Sequence, residues 1–120
     1  MHMMRHIGSP TVHLATKAVD MRKSINGLSV LVADHLECNP LSGSLFVFYN
    51  KARDKIKILY WDRNGFCLWY KRLEKHRFHI PPHISDDSIE LTGEQLSWLL
   101  SGLHINEIKG HPELDFSTVM

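Results

Sequence analysis

Apolar and polar positions along this chain change period in a way that separates strands from helices. The run Thr11–Thr16 is short and β-prone and predicts a first strand. From Asp20 the period lengthens. Met21, Ile25, Leu28, Val32 and Leu36 recur at steps of four, three, four and four, which stripes one face of a helix. Asp20 stands where an N-cap belongs, and Asn39-Pro40 closes the helix because proline disfavours the helical region for the residue before it. Gly27 inside the run weakens a helix by ~1 kcal/mol relative to alanine, so a close packing contact is expected there.

Three strand patterns follow. Ser44–Asn50 is rich in aromatic and branched residues. Lys55–Asp62 alternates, with Lys55, Lys57, Leu59 and Trp61 on one face and Ile56, Ile58 and Tyr60 on the other. Gly65–Leu73 sets Phe66, Leu68 and Tyr70 opposite Cys67, Trp69 and Lys71. Asn64-Gly65 between the last two is expected to supply the positive φ of a tight hairpin. Pro81-Pro82 and the polar stretch to Ser88 read as a loop. A last helix opens on Thr92 and Gln95 as a capping box, with Leu91 and Leu96 as a hydrophobic staple. It buries Leu96, Leu99, Leu100 and Leu103 and stops at Gly102. The expected fold is α+β, in the order β-α-β-β-β-α: a small antiparallel meander of about four strands packed with two helices.

At 120 residues the chain is expected to be a single domain over 1–120, with a core at about 11–105 and loosely ordered ends at 1–10 and 106–120. Its 43% hydrophobic and 22% charged residues suit a folded soluble protein. Ile58–Trp61, among the longest apolar runs, is strand-sized, and the first residues carry no signal-peptide core, so a cytoplasmic protein without a membrane span is expected. Cys38 and Cys67 make no disulfide framework and read as small buried hydrophobes.

The net charge of +1 conceals an asymmetry. Residues 51–77 carry nine Lys and Arg against three acids, while residues 78–120 carry Lys109 against seven acids. Cations at sheet spacing beside aromatics suit phosphate contact with base stacking or groove insertion. The candidate DNA-binding residues are Arg53, Lys55, Lys57, Arg63, Lys71, Arg72, Lys75 and Arg77, joined by Arg22 and Lys23 in the sequence Asp20-Met21-Arg22-Lys23. The competing readings are edge-strand lysines that block aggregation and a capped first turn with two solvated cations. As surface cations, Lys55, Lys57, Lys71 and Arg72 should all be replaceable by Ala with the fold intact.

No chemistry-bearing constellation accompanies these cations. Of nine histidines, His76, His79 and His83 are spaced by three and four, but Pro81-Pro82 keeps them off one helix, so neither a metal nor a cofactor is expected. No nucleophile motif or phosphate loop occurs. No βαβ pattern offers a sheet on which carboxylates could hold two metal ions. The chain is therefore not expected to be an enzyme.

Four blocks in order carry a family resemblance: Val19-Asp20-Met21-Arg22-Lys23-Ser24-Ile25-Asn26-Gly27-Leu28, Asn39-Pro40-Leu41-Ser42-Gly43-Ser44-Leu45-Phe46-Val47-Phe48, Asp54–Asp62 and Gly65–Glu74. With the Leu96–Leu103 helix, they make residues 12–104 similar to the second-open-reading-frame protein (TnpB, Orf2-like) of insertion sequences of the sixty-six type. The resemblance implies an accessory to a separately encoded transposase with an acidic catalytic triad, and it assigns no catalytic residue. Asp20, Arg22, Lys23, Lys55, Lys57, Asp62, Lys71 and Arg72 match its motifs and become candidates for contact with DNA or transposase. Two functions stay open. One is a DNA-binding accessory that touches element ends or target DNA through residues 51–77. The other is an adaptor that docks on the transposase through Trp61, Trp69 and the acidic C-terminal third. An enzyme, such as a nuclease, stands last for want of an active site.

Overall fold

The apolar run Leu45–Tyr49 shows no alternation because both of its faces are covered. In the computed structural model, which describes residues 10–82 and 86–102, all five of its residues are buried. The elements are β1 (Val12–Ala15), α1 (Ile25–Asp34), β2 (Leu45–Tyr49), β3 (Lys55–Asp62), β4 (Gly65–Arg72), β5 (Ser88–Leu91) and α2 (Gly93–Ser101). They build a five-stranded sheet in the order β4-β3-β2-β1-β5, with β2 at its centre. The fold is α+β, as the patterning predicted.

The meander β2-β3-β4 is antiparallel throughout. Its hairpin register pairs Asp62 with Gly65, so Arg63 and Asn64 are the loop residues. The positive φ therefore falls on Arg63, at 54°, and not on the Asn-Gly pair. Two features go beyond the meander. β1 runs parallel to β2 and is joined to it by α1, which makes one βαβ unit where none was expected. β5 lies antiparallel on the other side of β1, pairing Val12 with Leu91 and Leu14 with Ile89. The strand takes in Ser88 and Leu91, which the patterning had given to a loop and to a staple. Its four residues are too few for alternation to stand out beside Asp86-Asp87.

Each helix covers one face. Leu28 and Val32 of α1 pack with Phe46, Phe48 and Leu59, and Met21, Ile25 and Leu36 join this cluster, so the whole predicted stripe faces the sheet. Leu96, Leu99 and Leu100 of α2 pack on the opposite face with Val12, Leu14, Val47, Ile56 and Ile58. Phe78, from the segment after β4, fills the same cluster.

The helix ends separate a correct cap from a displaced one. Thr92 and Gln95 form both bonds of the capping box, at 3.1 and 2.9 Å, and Gly102 closes α2 at φ 89°. Leu103 lies outside the described residues, as do 1–9 and 103–120, which take in all of the expected loose ends except Pro10. The first helix begins later than predicted, at Ile25 with Ser24 as N-cap. Asp20 caps a turn instead. Its carboxylate accepts the Arg22 N–H at 2.8 Å and its carbonyl accepts the Lys23 N–H at 3.1 Å. That turn is required because the Val19 N–H donates to the Tyr49 carbonyl at the end of β2, and the chain must then reverse to reach α1. Gly27 does have a close neighbour: a Cβ there would stand 3.3 Å from the Cβ of Lys23.

Candidate nucleic-acid interface

Strand register sorts the basic residues by face. Lys55 pairs with Arg72 and Lys57 with Tyr70, and these four share the α1 face with Leu59, Leu68, Trp61 and Phe66. Ile56 pairs with Lys71 and Ile58 with Trp69, which places Lys71 and Trp69 on the α2 face. Lys71 is thus separated from Lys55 and Lys57 by the sheet itself. Trp61 and Trp69 likewise sit on opposite faces. Trp61 meets Phe66 edge-on with ring centroids 5.1 Å apart, while Trp69 packs on the α2-side core.

Two of the lysines are committed to backbone. The Lys57 ammonium donates to the carbonyls of Met21 and Lys23, at 2.8 Å each, and lies 5.8 Å from the Tyr70 ring centroid. It ties the turn before α1 to the hairpin. The Lys71 ammonium donates at 2.7 Å to the carbonyl of Leu100, in the last turn of α2. Helix carbonyls at that end lack intrahelical partners and carry the negative end of the dipole. Removing either side chain strips a charged donor from backbone carbonyls, so Lys57 and Lys71 are not the free surface cations that were expected, and replacing them is now expected to cost stability.

The loop cations form a different population. Asn50 organises the β2–β3 turn: its side-chain carbonyl accepts the N–H groups of Asp54 and Lys55, and its amide donates to Asp54 at 2.7 Å. This amide bond is the main reason the Asp54 carboxyl is held below the usual range. The segment after β4 is fastened to the same turn. Leu73 N–H donates to the Asp54 carbonyl and Phe78 N–H to the Arg53 carbonyl, both at 2.7 Å. With Phe78 buried as an anchor, Lys75 and Arg77 are brought beside Lys51 and Arg53, and all four are exposed. None of the four pairs with a carboxylate among the described residues. Arg53 and His76 hold φ values of 61° and 70°, so each loop makes its turn through a non-glycine residue in the left-handed region.

The other predicted cations are partnered or distant. Arg22 bonds Asp20 at 2.7 Å, and its guanidinium is the main cause that lowers the Asp20 carboxyl to about 2. Lys55 pairs with Asp54 at 3.3 Å and Arg72 with Glu74 at 3.0 Å. These pairs are exposed or half-exposed and of small energetic consequence, so the cations stay available to another anion. Lys23 is exposed beside Arg22. Arg63 lies at the hairpin tip, one residue past the end of β3 and so more than about 23 Å along the strand from Lys55, and does not belong to the cluster.

Sequence reasoning missed Lys51 and Tyr70 as members of the site. Tyr70 is 49% exposed and the one ring among the large exposed hydrophobics of the described residues. The signal was its place on the Lys55–Lys57 face, two positions beyond Leu68. Asp86, Asp87 and Glu90 flank or lie in β5, on the opposite edge of the sheet from β4, so acid and base are separated across the molecule. Of the three spaced histidines, His83 lies outside the described residues. Among the described residues, no group of three or more His, Cys, Asp or Glu side chains could hold a metal ion. No helix among them is long and apolar enough to cross a membrane. Cys38 and Cys67 are free and half-buried, less enclosed than expected.

Fold and surface together define a small mixed-sheet α+β domain with one strongly basic end. The chain belongs to the IS66 Orf2-like protein family, whose model matches residues 10–110, and the family consists of accessory proteins of insertion sequences. It is 37% identical over 101 residues to the uncharacterized protein y4jC of Sinorhizobium fredii, covering 84% of this chain and 86% of the relative. It is 39% identical over 92 residues to the uncharacterized protein y4hO of the same organism, covering 77% and 79%. No solved structure matches the chain.

Proposed function

We propose that this protein is a non-catalytic, cytoplasmic accessory of transposition that binds DNA through the basic end of its sheet. One observation carries this reading. The bonds that the Arg53 and Asp54 carbonyls accept from the segment after β4 gather Lys51, Arg53, Lys75 and Arg77 into one exposed patch, in which none of the four pairs with a carboxylate among the described residues while Asp54 and Glu74 are engaged by Lys55 and Arg72. Such a patch neutralises phosphates, whose counterions are released on binding. Lys23, Arg22, Lys55 and Arg72 extend it along the α1 face. The acidic β5 edge points the opposite way, which orients the molecule on a polyanion. DNA at element ends or in the target is the proposed partner.

A second reading has its own support. β4 is an edge strand of eight residues, and among the described residues nothing pairs with its outer side. A long apolar edge invites strand addition by another protein, and the element's transposase is the partner this reading names.

Fluorescence anisotropy with labelled duplex across a salt series tests the first reading. Binding should weaken with a log–log slope of about −0.9 for each phosphate neutralised. Absence of binding at low salt rejects DNA contact and leaves the adaptor, for which co-purification with the transposase is the corresponding assay.

A further inference from the structure

The block of Lys55, Lys57, Tyr70 and Arg72 contains something that phosphate neutralisation does not use. Phe66 and Leu68, on the same strand and face as Tyr70, pack against the α1-side cluster, whereas Tyr70 is left 49% exposed. Its position opposite Lys57 explains this, because the apolar cover ends where the ammonium begins. Lys57 stands over the ring at 5.8 Å and is itself held by two carbonyls, so the ring has a fixed cation against one side. Arg72 follows on the same face two residues on, about 6.6 Å along the strand, with Lys55 directly beside it.

We propose that this block takes an unpaired nucleotide strand, with one base stacked on the Tyr70 ring and the neighbouring phosphates held by Arg72, Lys55 and Lys23. The inference rests on the DNA reading above and narrows it to single-stranded nucleic acid. A ring flanked by cations supplies the two things that single-strand sites combine, a stacking platform and an electrostatic track. Duplex DNA offers its phosphates to such a surface but keeps its bases closed within the stack. Its major groove admits a projecting helix or ribbon. Tyr70 sits in the body of a sheet strand, and Lys57 draws the Met21–Lys23 turn onto that same face. The ring therefore reaches only a base that has already left its stack.

The test compares fluorescein-labelled oligothymidylate of about 20 nucleotides with a duplex of equal length at matched salt. A strand of the same length with abasic sites keeps the phosphates and removes the bases. Oligothymidylate should bind roughly tenfold or more tighter than duplex, and the abasic strand should lose that advantage. Tyr70→Leu should weaken oligothymidylate binding by about tenfold and duplex binding by much less, with Tyr70→Phe close to wild type. Equal affinity of wild-type protein for oligothymidylate and abasic strand overturns the stacking site without recourse to any variant. A Tyr70→Leu loss shared equally by duplex does the same. Salt-dependent duplex binding with no single-strand preference sinks this inference alone, whereas failure to bind any of the three probes sinks the DNA reading with it.

Discussion

Two sets of cations share the β3–β4 half of the molecule and are put to different use. Lys57 and Lys71, in the bodies of the strands, reach across opposite faces of the sheet to backbone carbonyls of the turn before α1 and of the last turn of α2. Lys51, Arg53, Lys75 and Arg77, in the loops, pair with no carboxylate among the described residues and point into solvent. Identical charge serves as architecture in one set and as a contact surface in the other. Position relative to an unpaired backbone carbonyl decides which.

The largest separation of the two sets should come from Lys51, Arg53, Lys75 and Arg77 all changed to Gln. Duplex or single-strand affinity should fall by about two orders of magnitude and the salt slope should flatten by roughly three to four, at an unchanged melting temperature. An unchanged slope would show that the loops are not the contact. The converse variants are Lys57→Met and Lys71→Met. Each should cost about 1–2 kcal/mol in denaturant unfolding, since each removes a charged donor from backbone carbonyls. If neither loses stability, the two carbonyl bonds are not structural and the contrast between the sets collapses.

Smaller effects sharpen the picture at the ends of the helices. Thr92→Ala should cost about 1 kcal/mol by breaking the capping box, while Ser24→Ala, at a cap that makes no side-chain bond, should cost a few tenths. Burial is the main cause, and a Cys67 hydrogen bond the second, that push the Tyr60 hydroxyl up to about 12. Since this folded value exceeds the unfolded one near 10, its stabilising contribution is intact below pH 10 and is lost as pH rises from there towards 12. Phenolate absorbance should therefore show an ionisation near pH 12 that a Tyr60→Phe variant lacks, and that variant should lose less stability over that range. The smallest shift is expected from Gly27→Ala. It should stabilise α1 by about 0.5 kcal/mol, below the full propensity gain of about 1, because the Lys23 stem at 3.3 Å must yield slightly.

Local grammar carried most of the fold and little of the site's division of labour. The Met21–Leu36 stripe, the alternation of β3 and β4, and the Thr92–Gln95 box each depend on residues a few positions apart, and all three orient their elements as read. β5 escaped because its four residues become a strand only by pairing with β1, some 76 positions earlier. Asp20 was misplaced because the turn it caps is dictated by the bond from Val19 to Tyr49, which local propensity does not contain. The same distance hid the structural lysines. Lys57 finds its acceptors 36 and 34 residues away and Lys71 finds its own 29 residues away, so composition marked both as surface charge. The loop cations, by contrast, were visible as a charge excess, because a charge that is not paired off remains countable.

The placement of β1 between β2 and β5 has a consequence for the order of synthesis. β1 is made first, yet one of its edges waits for residues 88–91 and its α2-side face waits for Leu96, Leu99 and Leu100. A nascent chain that has reached Arg72 holds the whole meander, α1 and β1, but exposes Val12, Leu14, Val47, Ile56 and Ile58 as a bare apolar sheet. Chains broken off before β5 by a stop codon or stalled ribosome would carry that surface uncovered and are expected to self-associate, so the sheet is covered only once β5 and α2 have been made.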